Sequence, residues 1–417
     1  MNRFQHNLTW VFLGNLLHAV FQFLLNLLAA RAFSVEDYGL LNYGAAFVAF
    51  FTSLGTLGFS GVITKYFADD PGRAGQYLGT ALVSRAGFAL IAMALIQLAL
   101  PGAEPELRLL LLCQSAAILF SAGDGIVHWY RFRGKAKQAV LVRLSAFGLS
   151  ALWRLWAIYG AKSLTLYAAG VSLETLVYLA ALTAPCRREL GLRFKVGTLK
   201  GMLSQSYPFI TSAILSTVYA QTDKLMLGTM LSREAVGLYS VAVTLAGAIS
   251  ILPSALIEGF RPEILLRKAE GDSLWKHRLR QLYGLVFWVS TAYSLCVTLF
   301  AGPLVGLLYG ESYAGAVPAL RIVVWYTAFS YFGSVNNLAF VAQGKTKWVQ
   351  LLTLTGAVGN VALNALLIPA MGVRGAALAS LVTQFAANFL LLALLPPLRE
   401  NFRFLLEGIF LRREKTS

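Results

Sequence analysis

The stretch FSVEDYGLLNY, residues 33–43, recurs in looser form 198 residues later as LSREAVGLYSV, residues 231–241. Ser34, Glu36, Gly39 and Leu40 align with Ser232, Glu234, Gly237 and Leu238 without a gap. Four identities are few enough to arise by chance. The other reading is an internal duplication, and the surroundings favour it, because each copy leaves one long apolar run and leads into the next. A repeat at this spacing divides the chain into two halves of the same plan, so the apolar runs decide what those halves are.

The runs have membrane-spanning length. Of 417 residues, 57% are hydrophobic and 13% charged, with a mean hydropathy of +0.65; a soluble domain carries about a quarter charged residues. A helix crosses the hydrocarbon core with about 20 apolar residues. Twelve such runs occur, near 8–30, 38–62, 77–100, 107–128, 138–160, 163–184, 205–229, 236–258, 283–308, 317–341, 349–370 and 375–396. Runs five and six are separated only by AKS, and run seven is interrupted by Asp223 and Lys224. The expected fold class is an all-α integral membrane protein of about 12 transmembrane helices.

The formal net charge of +16 would point to nucleic acid in a soluble protein. Here the basic residues sit in short connections, and no nucleic-acid partner is expected. With the N-terminus inside, 25 of the 35 Lys and Arg residues fall on inner segments, six on outer ones and four within runs. That bias places both termini in the cytoplasm, with an even number of spans. The opening MNRFQHN runs directly into an apolar stretch too long for a signal-peptide core. Cys113, Cys186 and Cys296 form no disulfide framework and no metal-ligand spacing. There is no Gly-rich phosphate loop and no nucleophile–base signature, and the largest loop, about 259–282, cannot form a domain. The protein is therefore expected not to be an enzyme, to need no cofactor, and to draw energy from substrate, an ion gradient or membrane potential.

Six spans on each side make the two repeats parallel, related by an axis along the membrane normal. This is a transporter plan, with the substrate site where the repeats meet near the bilayer midplane. The expected organisation is a six-helix bundle at 1–184, a basic cytoplasmic linker at 185–204, a second bundle at 205–396 and a basic amphipathic tail at 397–417. The tail is expected on the inner surface among anionic lipids. Pro208, Pro253, Pro318, Pro369 and the GTLG segment at 55–58 mark expected kinks.

Several stretches together resemble a known family. They are NLL…RAFSVEDYGLLNYG in 15–44, SYPFI at 206–210, QTDKLMLGTMLSREAVGLYSVA at 221–242, LYGESYAGAVPALRI at 308–322 and GNVALNALLIPAMGVRGAALASLVTQ at 359–384. Each is loose alone; their order is similar to that of the Wzx-type oligosaccharide flippases of the multidrug/oligosaccharidyl-lipid/polysaccharide exporter superfamily. The resemblance implies a V-shaped pair of six-helix bundles around a central cavity in the bacterial inner membrane. It also implies export of undecaprenyl-pyrophosphate-linked oligosaccharide by alternating access, with a polysaccharide polymerase as a possible neighbour and a proton or sodium ion as a possible coupling ion. The lipid II flippases of that superfamily usually carry two further spans, which this chain lacks. A multidrug or metabolite cation antiporter of the same fold is the alternative. A glycan polymerase or ligase would carry a large outer catalytic loop, which is missing.

Against this frame the charges inside spans are the candidate site. LVRLSAFGLSALWRLWAIYG, residues 141–160, carries Arg143 and Arg154, although an arginine at mid-bilayer costs roughly 2.5–3.5 kcal/mol on insertion scales. Eleven residues bring a helix back to within about 20° of its start, so Arg143, Ser150 and Arg154 share one stripe. Either both arginines snorkel to opposite surfaces, or the stripe faces a water-filled cavity and offsets a pyrophosphate, for which the guanidinium fork is well shaped. Arg85 lies too deep to snorkel freely and has a cavity role or a buried partner, Glu174 being the natural candidate. Glu174 is either that structural partner, to Arg85 or Arg154, or a coupling group. Asp124 is expected at a helix break or in contact with Arg131 or Arg133. Asp223 and Lys224 point about 100° apart, one towards a cavity and one towards a neighbouring helix. Arg321 sits where snorkelling is easy. His18 is expected as a hydrogen-bonded interior residue, and Asn360 and Asn364, four apart on one face, as contacts between helices or to sugar hydroxyls. Three in-span arginines in the first half against one in the second favour an anionic substrate over a cationic drug.

Overall fold

The structure, a computed structural model, describes residues 3–99, 102 and 104–410. The last part of the basic tail, 411–417, lies outside the described residues. No strand occurs among the described residues. The helices are α1 (Arg3–Ala32), α2 (Val35–Gly55), α3 (Ile63–Asp69), α4 (Ala74–Leu98), α5 (Pro105–Phe120), α6 (Asp124–Phe132), α7 (Ala136–Tyr159), α8 (Leu164–Leu190) and α9 (Val196–Met230). They continue with α10 (Arg233–Gly247), α11 (Ile251–Ala269), α12 (Leu274–Tyr309), α13 (Val317–Val323), α14 (Tyr326–Ala342), α15 (Lys347–Met371), α16 (Val373–Phe385), α17 (Leu391–Leu394) and α18 (Arg399–Ile409).

The repeated sequence motif has a local physical meaning. Ser34 and Ser232 are the N-caps of α2 and α10, each in extended conformation. Their side-chain oxygens accept hydrogen bonds from the backbone N–H groups of Asp37 at 3.0 Å and Ala235 at 3.1 Å. Glu36 and Glu234 lie in the first turns, near the positive end of each helix dipole. Each cap is worth about 1 kcal/mol, and each follows a long helix directly, so the same hairpin begins both halves.

Among the described residues, nine helices, some continued across a short break, are long and apolar enough to cross a membrane. The three expected spans outside that count are α2, α9 and the pair α13–α14. α9 holds Asp223 and Lys224 among several hydroxyl side chains, and α13–α14 is interrupted at Val324–Trp325. Short breaks also fall at Ser121–Gly123, between α5 and α6, and at Ala248–Ser250, between α10 and α11. Pro253 and Pro318 stand in the first turns of α11 and α13, where a missing N–H costs little; Pro208 and Pro369 lie inside α9 and α15. The GTLG segment ends α2, with Gly58 in the left-handed region at φ +61°.

Residue contacts divide the chain into two compact units, Met1–Gln221 and Thr222–Ser417, with the boundary inside α9. The segment expected as a 185–204 linker is largely helical: α8 continues to Leu190 and α9 begins at Val196. In the first unit α7 packs between α1 and α8, and α5 packs on α2, α4 and α8. Phe59, Ile63, Phe67, Leu78, Trp129 and Met202 form a buried apolar cluster there. In the second unit α12 is the central strut, packed on α11, α14 and α18, with Leu279, Tyr283, Val286, Phe332 and Phe404 in its core.

One expectation for the second unit's polar ends is revised. The 259–282 stretch is a helical hairpin, closed by the turn between α11 and α12. Glu263 accepts from Arg267 and Arg278, both at 2.9 Å, and Arg267 reaches Asp272 at 2.8 Å. The Leu274 backbone N–H, then Arg267, holds the Asp272 carboxyl below the usual carboxylate range. That contribution is present at neutral pH and is lost as pH falls through the carboxylate range.

One face of the tail helix α18 docks on protein, with Phe404 and Leu405 buried against α12. Glu400 meets Lys276 at 3.4 Å and Glu407 meets Arg280 at 2.8 Å. The two helices touch backbone to backbone: a Cβ at Gly284 would stand 2.5 Å from the carbonyl oxygen of Gly408. Gly284→Leu is therefore expected to lift α18 and speed tryptic cleavage at Arg399 and Arg403; an unchanged rate would contradict this packing.

Candidate functional site: two buried polar clusters

The first cluster answers why α7 carries arginines. Its polar stripe is turned to α1 and α8. Arg154 is 1% exposed and donates from Nη1 to Gln22 Oε1 at 3.1 Å and from Nη2 to Glu174 Oε2 at 3.3 Å. Its guanidinium lies 5.8 Å from the Tyr167 ring centroid. The other Glu174 oxygen is 2.8 Å from His18 Nε2. Ser150 donates to the Gly170 carbonyl at 2.6 Å. Gly170 makes room for the arginine, since a Cβ there would meet Arg154 Cγ at 2.5 Å. Lower on the same stripe, Arg143 donates from Nη1 to Asn15 Oδ1 at 3.1 Å.

This pairing corrects two expectations. Arg85, 4% exposed, pairs with Asp124 at 3.2 Å and not with Glu174. Asp124 stands at a helix break, as expected, half exposed at the start of α6, and pairs with Arg85 and not with Arg131 or Arg133. The helices rotate Arg154 onto Glu174 and leave Arg85 facing α6; run lengths carry no information about such rotations. A buried arginine needs an anionic partner to offset desolvation; Arg85 and Arg154 each have a carboxylate, while the Nε of each is buried without a hydrogen-bond partner. Arg321, in α13, is exposed, as expected of a side chain near a span end.

The second cluster centres on Asp223 of α9, 5% exposed. Its Oδ2 accepts from Tyr239 of α10 and Ser380 of α16, each at 2.5 Å. Its Oδ1 accepts from Asn364 Nδ2 at 2.5 Å, and Asn364 Nδ2 also reaches Asn360 Oδ1 at 3.0 Å on α15. Three helices thus deliver neutral groups to one carboxylate. Lys224 is half-buried and stands outside this cluster, with no carboxylate in ion-pair range among the described residues. The Asn364 Oδ1 and Asn360 Nδ2 atoms are buried without a partner, which leaves an acceptor oxygen beside the Asp223 carboxyl group. Asn360 and Asn364 were legible as helix contacts. Neutral hydroxyls are common in spans, so the sequence marks Tyr239 only by its place in the repeated motif and does not mark Ser380.

A cavity of about 660 Å³ lies within the first unit. Its walls are small residues such as Ala45, Ala49 and Ala117, with Thr52, Gln114, Ser121 and Thr175 among the polar ones. Thr52, Ser121 and Thr175 donate their hydroxyl protons back to their own helices, at Val48, Ile118 and Val171. Among the described residues no charged side chain lines it, so Arg85, Arg143, Arg154 and Arg321 are not its walls.

The family model for polysaccharide biosynthesis proteins matches residues 4–258. Over 185 residues the chain is 28% identical to the probable flippase AglR of Haloferax volcanii, covering 43% of this chain and 38% of that protein. The match therefore spans less than half of that relative's length. The fold is similar to that of the lipid II flippase MurJ in an inward closed conformation, with TM-score 0.73 at 14% identity over 96% of this chain and 91% of that one. It is also similar to an inward-facing multidrug resistance MATE family transporter of the MOP superfamily, with TM-score 0.69 at 16% identity over 93% and 94% of the two chains.

Proposed function

The chain belongs to the polysaccharide biosynthesis protein family, and we propose that it is a multi-pass flippase that carries a polyprenyl-pyrophosphate-linked oligosaccharide from the inner to the outer leaflet, driven by cation binding at Asp223. The observation that carries the coupling role is the Asp223 cluster itself. A carboxylate buried among neutral groups, with an unused acceptor oxygen beside it, is an oxygen-only site for one small cation, a proton or sodium. An intramembrane carboxylate with no countercharge is costly unless it binds one, and neutralising it changes the balance between conformations of a transporter. Glu174, already held by Arg154 and His18, is the poorer coupling candidate.

The family and the charge pattern support this substrate class. A cation antiporter is the competing reading, because the multidrug transporters share this fold. A cationic drug calls for carboxylates in its cavity, and the first unit's cavity has none. Small walls and hydroxyl oxygens suit the neutral part of a glycolipid better. The protein would sit in the bacterial inner membrane with both termini in the cytoplasm, among membrane lipids and beside a polysaccharide polymerase.

The test uses a deletion strain. Lipid-linked oligosaccharide is measured by mass spectrometry, and its sidedness by an impermeant sugar-modifying enzyme on spheroplasts. Complete units are expected to accumulate on the inner leaflet and to clear with the wild-type gene. Normal surface glycan without accumulation would overturn the reading in favour of the antiporter.

A further inference from the structure

Among the described residues of the first unit, one arginine within an apolar run has no carboxylate partner. Arg85 has Asp124 and Arg154 has Glu174, whereas Arg143 has only the neutral amide of Asn15. No carboxylate is in ion-pair range of Arg143 among the described residues. Arg131, near the end of α6, lines the same small cleft as Arg143, with Asn15 of α1 and Tyr178 of α8. Gly14 brings α1 hard against α7: a Cβ there would stand 2.3 Å from Val140 Cγ1. This close approach sets Asn15 beside Arg143. The surroundings add positive charge, since Arg133 and Lys135 share the single carboxylate of Glu189. Cations at this end outnumber the carboxylates that serve them.

We propose that this cleft receives a phosphate oxygen of an anionic lipid head group, gripped between Arg131 and Arg143. The cleft measures about 20 Å³, room for one water-sized group. That admits one oxygen of a tetrahedral anion and excludes a sugar ring, so the rest of the head group stands at the mouth. Two guanidinium groups offer charge-assisted hydrogen bonds to phosphate, and the anion supplies the countercharge Arg143 lacks. The identification of the natural ligand as a polyprenyl pyrophosphate rests on the flippase reading; recognition of phosphate does not.

Native mass spectrometry of the full-length protein in a neutral detergent tests it, with phosphatidic acid as the probe and phosphatidylcholine as the control lipid. The wild type is expected to retain phosphatidic acid selectively. Arg131→Gln and Arg143→Gln are each expected to weaken retention about tenfold, and Arg143→Lys, which keeps the charge without the fork, by less. Arg73→Gln, at an exposed arginine paired with Asp70, is expected to retain lipid as the wild type does. Displacement by millimolar inorganic phosphate would show that free phosphate suffices; resistance to it would assign the site to lipid-borne phosphate. Should Arg143→Gln fail to fold, Arg131→Gln carries the test alone, because Arg131 is exposed. Unchanged retention in Arg131→Gln overturns the site. Failure of the wild type to translocate lipid-linked oligosaccharide would sink the flippase reading and leave the phosphate site standing.

Discussion

Glu174→Ala is expected to destabilise the first unit by about 3–5 kcal/mol, the usual cost of removing one partner of a buried ion pair. Arg154 would be left 1% exposed, with Gln22 as its hydrogen-bond acceptor and no negative charge. His18 would lose its carboxylate as well. For a unit of this size each kcal/mol lowers the thermal midpoint by about 2–4 °C, so the variant is expected to melt about 6–20 °C below the wild type. Thermal unfolding of the purified protein in detergent measures this directly. The double variant Glu174→Leu with Arg154→Leu is expected to recover much of the loss, because apolar residues of similar volume often replace a buried pair at little cost. If Glu174→Ala melts within a degree or two of the wild type, the pair does not hold α1, α7 and α8 together. If the double variant recovers stability but fails to restore surface glycan in the deletion strain, the pair has a part in transport beyond packing.

Asp223→Asn separates structure from coupling in the second unit. Asparagine keeps the shape and one acceptor oxygen for Tyr239 or Ser380, so the loss of stability is expected to be modest, about 1–2 kcal/mol. The loss of coupling is expected to be complete. A cation bound only by the folded state raises stability by about 2.7 kcal/mol at one hundred times its dissociation constant. The wild type is therefore expected to melt at a higher temperature as sodium is raised at fixed ionic strength, and Asp223→Asn to show no such rise. If the wild type responds to pH and not to sodium, the coupling ion is a proton. If it responds to neither, or if Asp223→Asn supports normal surface glycan, Asp223 is a packing residue. Asp223→Ala removes the acceptor for Tyr239, Ser380 and Asn364 together and is expected to cost about 3 kcal/mol, since Tyr239 and Ser380, 3.2 Å apart, can still bond each other.

Much of this molecule is written along the chain. Apolar length marks where helices cross, and α2 and α10 start where Ser34 and Ser232 cap them, because capping needs only a side-chain oxygen three residues before a free N–H. The shared start of α2 and α10 was legible for the same reason: a repeated local motif does the same local work. The stripe on α7 was legible too, because Arg143, Ser150 and Arg154 share a face at any rotation of an ideal helix. What a single helix cannot encode is the neighbour that this face meets. Arg85 finds Asp124, 39 residues away, and Arg154 finds Glu174, because α7 is wedged between α1 and α8 with Gly170 clearing the space. Asp223 looked like a charge of uncertain direction until α10, α15 and α16 brought Tyr239, Asn364 and Ser380 to it. Composition and periodicity act over a few residues and decide which segments are helices. Charge pairing acts across a few ångströms of space and depends on helix rotation and close approach, which only the packed tertiary structure sets.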